Sequence, residues 1–262
     1  MFQERSRRAT RSGLFRTHAE FPSRFLKPTR TVLVHLPPGY DEATERRYPV
    51  LYLHDGQNLF DGATSFIPGQ EWRADEASER LIHEKKIEPL ILVGIYNTGV
   101  DRLEEYTPMP DARGRGGKGE LYSRFLIEEL KPFIDRTYRT RPEAKSTGMG
   151  GSSLGGLISL YVGLKHPDVF SRLAVLSPSV WWADRAILKE LTRKLPLRLW
   201  VDIGTAEGSS ALPDARLLRD ALVARGWREG EDLTYREFVG ATHSESAWAE
   251  RFDQVLLALF PA

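Results

Sequence analysis

Ser146-Thr147-Gly148-Met149-Gly150-Gly151-Ser152-Ser153-Leu154-Gly155-Gly156-Leu157 contains a G-x-S-x-G pattern centred on Ser153. A strand-like run precedes it, and an apolar run extending through Lys165 follows, so the spacing predicts a strand that turns sharply into a helix over Leu154–Lys165. Such a turn lifts a serine hydroxyl above the end of a sheet, and small flanking residues let the backbone double back without clashing. At these residue frequencies roughly 0.1 matches arise by chance in a chain of this length, so the pattern gains its force from context.

Outward from this turn the same alternation continues. Thr31–Leu36, Pro49–His54, Pro89–Tyr96, Arg172–Leu176, Arg198–Ile203 and Thr234–Phe238 read as strands. PVLYLH and PLILVGIY are apolar almost throughout, as strands covered on both faces are. Trp72–Lys85, Leu121–Tyr138, Asp214–Arg225 and Ser246–Phe260 have helical spacing, with Leu126, Ile127, Leu130 and Ile134 on one stripe. Strands alternating with helices predict a single α/β domain, a mostly parallel central sheet with helices on both faces. Residues 28–262 are expected to form it, behind an N-terminal extension, residues 1–27, with room for a first strand. Arg5–Arg16 reads as the least ordered part, and Asp111–Gly119 (DARGRGGKG) as a loop, because its four glycines sustain neither regular element.

Composition narrows the function. The 262 residues include 37 Lys+Arg and 36 Asp+Glu, a formal net charge of +1, with 41% apolar residues. That apolar content closes a sizeable core, and the near-zero charge argues against a nucleic-acid binder, which needs a basic excess. With no cysteine there is no disulfide framework, thiolate metal site or cysteine nucleophile. The longest apolar runs fall well short of a bilayer span, and the basic N-terminus is followed by no signal-like apolar stretch. A cytoplasmic protein with no membrane partner is expected. The histidines show no metal-ligand spacing, so neither metal nor cofactor is expected.

Serine needs a neighbouring base to become nucleophilic. Of His18, His35, His54, His83, His166 and His243, the last lies in a polar loop between the final strand and final helix, where a sheet with this turn places its base. His166 precedes Pro167 and reads as a helix cap, His35 as a packed strand residue, and His54 as support near the site. The acid is expected in the loop after Arg198–Ile203, which puts Glu207 first, to accept from Nδ1 of His243. Asp214, read as a helix N-cap, is the alternative acid, and Asp202 reads as a locally paired strand residue. A tetrahedral intermediate also needs donors for its oxyanion. The backbone N–H of Leu154 is one, and His54-Asp55-Gly56-Gln57-Asn58 supplies the other through Gln57 or Gly56.

Taken together, the segments LPPGY (Leu36–Tyr40), YLHDGQNLF (Tyr52–Phe60), YRT (Tyr138–Thr140), GSSLGGL (Gly151–Leu157), SPSVWW (Ser177–Trp182), DIGTAEG (Asp202–Gly208) and GATH (Gly240–His243) resemble the putative-esterase branch of the α/β hydrolases. That branch includes enterochelin-esterase-like enzymes, acetyl and feruloyl esterases, esterase D and the mycolyltransferases. The resemblance runs from about Arg30 to Phe260. It implies Ser153, Glu207 and His243 as triad and Gln57 and Leu154 as oxyanion donors. Glu207 departs from the aspartate of many relatives. The resemblance also implies that Trp181 and Trp182 wall a substrate pocket, whereas from the residues alone they fit a core equally well. Asp55 and Arg115 are further candidate substrate contacts; Arg113, Arg115 and Lys118 form either a cationic rim or a solvated charged loop.

The expected function is a serine carboxylic-ester hydrolase acting through an acyl-enzyme on a small-molecule ester, either a short acyl ester, a feruloyl or acetyl-sugar ester, or a siderophore-type ester. The alternatives are an acyltransferase with the same triad and a catalytically silent scaffold of the same fold.

Overall fold

The computed structural model describes residues 10–262. Eight strands form one sheet in the order β1-β2-β4-β3-β5-β6-β7-β8. The strands are β1 (Leu14–Phe21), β2 (Arg30–Leu36), β3 (Val50–His54), β4 (Ile91–Ile95), β5 (Thr147–Ser152), β6 (Arg172–Leu176), β7 (Arg198–Gly204) and β8 (Leu233–Phe238). Pairing is antiparallel between β1 and β2 and between β2 and β4, and parallel from β4 through β8.

The two-residue period of a strand sends alternate side chains into separate cores. Val32, Val34, Val50, Tyr52, Val93, Met149, Val175 and Val201 face one side, with Leu157, Leu218 and Leu222 from the helices Leu154–Lys165 and Ala211–Ala224. Leu33, Leu51, Leu53, Leu92, Ala174, Leu176 and Trp200 face the other, under the helices Ala74–His83 and Glu245–Leu259. Every residue of β3 and β4 is therefore buried.

Leu14–Arg16 open β1 on the sheet edge, which corrects the expectation of weak order there; Arg5–Ala9 lie outside the described residues. The helix expected over Leu121–Tyr138 is interrupted. It runs Gly119–Arg124 and Lys131–Thr137, and Phe125–Leu130 between them widens to π geometry. Pro132 has no N–H to return to Glu128, so the regular ladder cannot pass through it. Leu126, Leu130 and Ile134 are buried, and Ile127 only partly. No helix among the described residues is long and apolar enough to cross a membrane.

Candidate active site

Ser153 alone separates β5 from the helix Leu154–Lys165, at φ 58° and ψ −122°. A non-glycine residue there stores on the order of 1–3 kcal/mol of strain, and it persists only where the surroundings fix it. Here β6 does so: Ser153 N–H donates to Leu176 O at 3.0 Å, and Ser153 O accepts from Ser179 N–H at 3.1 Å. The two glycines of the pattern make the approach possible. A Cβ on Gly151 would lie 3.1 Å from Gly155 Cα, and one on Gly155 would lie 3.2 Å from His54 Cβ. Ser153 Oγ is hydrogen-bonded to Ser179 Oγ at 3.3 Å.

Glu207 follows β7, and its carboxylate is completely shielded from solvent while the His243 side chain is 43% exposed. His243 Nδ1 lies 2.8 Å from Glu207 Oε2. A carboxylate can only accept, so Nδ1 carries a proton, and it is Nε2 that is left to act as a base in the neutral ring. Glu207 Oε1 accepts from Ser177 Oγ at 2.6 Å, from Gly204 N–H at 2.8 Å and from Arg251 Nη2 at 3.3 Å. Burial pushes this carboxyl up, but the hydrogen bonds from His243, Ser177 and Gly204 outweigh it and hold it below the usual glutamate range.

His243 reaches this position because the loop after β8 crosses the end of β7. Thr205 N–H donates to Phe238 O at 3.0 Å, Ala206 N–H to Ala241 O at 3.0 Å, and Gly240 N–H to Thr205 Oγ1 at 2.9 Å. A Cβ on Gly204 would meet Ala241 O at 2.3 Å, so only glycine fits beneath the crossing. Ser244 then caps the helix Glu245–Leu259, and the His243 ring stands edge-on to Trp248 at 4.9 Å.

Ser153 and His243 face one cavity of about 430 Å³, lined also by Gln57, Asn58, Phe66, Arg102 and Trp248. No hydrogen bond joins Ser153 directly to His243 among the described residues. The N–H of Leu154 is at the first position of its helix and that of Gln57 lies in the first turn of the 3₁₀ segment Gly56–Asn58. Neither position has an intrahelical acceptor. Gly56 lets the 3₁₀ segment press on β4: a Cβ there would lie 2.6 Å from the Gly94 carbonyl carbon.

Asp55 is buried beside the cavity and gripped by Arg102, with Nε to Oδ1 and Nη2 to Oδ2 both at 2.7 Å, and by Asn97 Nδ2 at 2.7 Å. Burial raises the Asp55 carboxyl, but Arg102 overrides this and holds it below the usual range. Both carboxylate oxygens are thus already engaged, and the cavity is lined by the two residues as an ion pair.

Three expectations are corrected. Arg115 does not line the cavity; it turns back on Asp111 at 2.7 Å in an exposed loop. Trp182 is buried, with Nε1 donating to Met109 O at 2.7 Å, and Trp181, edge-on to it, is 54% exposed to solvent; neither lines the cavity. Asp214 is not an N-cap. Ser210 holds that position, and Asp214 is buried inside the helix, accepting from Arg185 Nε at 2.7 Å. His54 is fully buried, with Nδ1 3.0 Å from Tyr122 Oη, and burial pushes its pKa down to about 3. His166 ends the helix Leu154–Lys165, and His35 sits buried in β2 against Glu79 at 3.1 Å. Asp202 pairs within the fold, accepting from Trp200 Nε1 at 2.6 Å.

Sequence reasoning missed Ser177, Ser179, Arg251 and Arg102. The serines flank Pro178 at the end of a strand, a faint signal; Arg251 lies in the middle of a helix, where nothing local distinguishes it from a surface charge.

A serine on a strained strand-to-helix turn, beside a histidine carried by the last loop of a mostly parallel sheet, defines an α/β hydrolase. The chain belongs to the Putative esterase family, whose model matches residues 23–259. It is 30% identical over 224 residues to the ferri-bacillibactin esterase BesA of Bacillus subtilis, covering 75% of this chain and 73% of BesA. Identity to the uncharacterized protein YbbA of the same organism is 27% over 246 residues, covering 88% of this chain and 92% of YbbA. The crystal structure of the BES protein from Bacillus cereus superposes with a TM-score of 0.74 at 19% identity, covering 100% of both chains. The protein is a carboxylic ester hydrolase.

Proposed function

We propose that this esterase works through an acyl-enzyme on Ser153. His243 Nε2 takes the seryl proton as Oγ attacks the ester carbonyl, with Glu207 fixing the imidazole and stabilising its charged form. The N–H groups of Gln57 and Leu154 hold the oxyanion. The imidazolium then protonates the leaving alcohol, and a water activated by the same nitrogen releases the acid. One observation carries this reading: Ser153, at a backbone angle serine rarely adopts, faces the same cavity as an imidazole whose Nδ1 is held by a buried carboxylate. Rotation of Ser153 Oγ from Ser179 toward His243 Nε2 is the motion the mechanism requires.

The cavity supports an ester with a polar group near an apolar part. Arg102, paired with Asp55, presents a polar edge, and Phe66, 82% exposed at the rim, supplies an apolar surface. A siderophore-type or feruloyl ester combines these features, and BesA is named for the first. The test is Ser153→Ala with p-nitrophenyl acetate and labelling of folded protein by a fluorophosphonate. Loss of turnover together with loss of the adduct is expected; a variant that still turns over substrate at the wild-type rate removes Ser153 from the mechanism.

A further inference from the structure

Beneath Glu207 lies a second carboxylate that the mechanism above does not use. Asp202, on β7, is completely buried; its Oδ1 lies 3.2 Å from Arg251 Nη2 and accepts from Ser177 N–H at 3.2 Å. The same Arg251 Nη2 lies 3.3 Å from Glu207 Oε1 and 2.6 Å from Ser177 Oγ. Arg251 Nε and Nη1 have no hydrogen-bond partner among the described residues, and the guanidinium rests over the Phe238 ring at 5.1 Å. One nitrogen of one cation thus bridges two carboxylates. Ser177 joins them by donating to Glu207 and accepting from Trp248 Nε1 at 2.9 Å.

Charge counting shows what each partner does. Glu207 with Arg251 alone would be neutral, and the imidazolium formed when His243 takes a proton would meet little net field. With Asp202 ionised the cluster carries one net negative charge. We infer that Asp202 and Arg251 are positioning residues for the triad, Arg251 pinning Glu207 Oε1 so that Oε2 faces His243 and Asp202 restoring the negative charge that Arg251 would otherwise cancel. The inference rests on the triad reading given above. Glutamate also has one more rotatable bond than aspartate, so an acid of this length gains more from being pinned at its far oxygen.

The groups facing Asp202 are Arg251 from the last helix, Trp200 from its own strand, Ser177 from the end of β6 and Glu207 from the loop after β7. Its register neighbour on β8, Arg236, is solvent-exposed. Burial, more than Arg251 can offset, pushes the Asp202 carboxyl up to about 6. Near that pH the cluster begins to lose its charge, which disfavours the imidazolium, so the acid limb of the wild-type profile is broader than a single ionisation.

The test is the pH dependence of kcat/KM in three variants, with fluorophosphonate labelling of Ser153 to show that each site is assembled. Asp202→Asn leaves Arg251 uncompensated; the midpoint of the acid limb is expected to fall by half a pH unit or more, with kcat reduced about tenfold. Arg251→Met removes the cation, and the midpoint is expected to rise. Asp202→Asn/Arg251→Met has the wild-type net charge, and its midpoint is expected to return toward the wild-type value. Shifts of the same sign in both single variants, or an unchanged midpoint in Asp202→Asn, overturn the inference. If Asp202→Asn does not fold, the direction of the Arg251→Met shift decides. Failure of the triad reading shows separately, as turnover surviving Ser153→Ala.

Discussion

His243 and Glu207 meet through Nδ1 and Oε2 at 2.8 Å, the carboxylate sealed from water and the imidazole 43% exposed. The pair therefore has a rigid inner member and an accessible outer one, which suits an orienting acid and a proton-carrying base. Glu207→Gln preserves the shape but offers an amide where His243 needs an acceptor. It is expected to lower kcat by about a thousandfold or more with little change in KM, measured by steady-state hydrolysis of p-nitrophenyl acetate.

Arg102 and Asp55 form a second pair whose loss reads out as stability. Arg102→Met leaves the Asp55 carboxylate buried without its guanidinium. The expected cost is about 2–3 kcal/mol, below that of a fully buried pair because 27% of the Arg102 side chain meets solvent. Asp55→Asn/Arg102→Met recovers part of that loss. Urea unfolding of the singles and the double checks both statements, and additivity of the two single losses would falsify the coupling.

His54 gives the fold a pH dependence. Its pKa is near 6.5 in an unfolded chain and about 3 here, so between these values the unfolded state binds more protons. Its stabilising contribution is complete above about pH 6.5 and is lost as pH falls toward 3. From pH 6.5 to 5 the loss is about 2 kcal/mol, since each pKa unit is worth roughly 1.4 kcal/mol. Denaturant midpoints at those two pH values, for wild type and His54→Phe, isolate this contribution as the difference between the two slopes, because the raised Asp202 carboxyl acts with the opposite sign in both proteins.

Gly56→Ala tests the proposed oxyanion turn. Its methyl group would sit 2.6 Å from the Gly94 backbone, so the turn carrying Gln57 must move. A destabilisation of about 1–3 kcal/mol is expected, with kcat falling about a hundredfold if the Gln57 N–H leaves the oxyanion position. Thermal melting and steady-state kinetics separate the two effects.

Arg115→Ala is expected to leave kcat/KM unchanged and to shift stability by no more than about 0.5 kcal/mol, because its partner Asp111 shares the same exposed loop. Assay of p-nitrophenyl acetate hydrolysis beside a thermal melt is sufficient.

The parallel sheet is legible because β3 and β4 are short runs that are apolar almost throughout, as strands buried on both faces are. Ser153 stood out because the sharp turn demands glycine at fixed offsets, and His243 and Glu207 because chain order is set by which strand ends meet. The missed residues share one property: their role depends on partners remote in sequence. Arg251 meets Ser177 across 74 positions, and Arg102 meets Asp55 across 47. The tryptophans misled for the complementary reason. Adjacent aromatics show how much surface must be covered, but not whether a ligand or Met109 covers it. The π segment at Phe125–Leu130 was hidden because its side-chain stripe still fits an ordinary helix.

The crossing of residues 240–243 over Gly204 makes the two sides of the cleft unequal. Neighbouring strands are spaced by about 4.8 Å, so from β5 to β8 the histidine bridges roughly 14 Å on a strap riveted at Thr205 and Ala206. That wall has no slack: widening it carries the imidazole away from the proposed nucleophile. The opposite wall, carrying Phe66 and Arg102, hangs from loops after β3 and β4 that, beyond the turn at Gln57, hold no part of the proposed mechanism. Enlarging or reshaping the substrate range of this scaffold is therefore a matter of remodelling one bank of the cleft, while the other stays fixed by the chemistry.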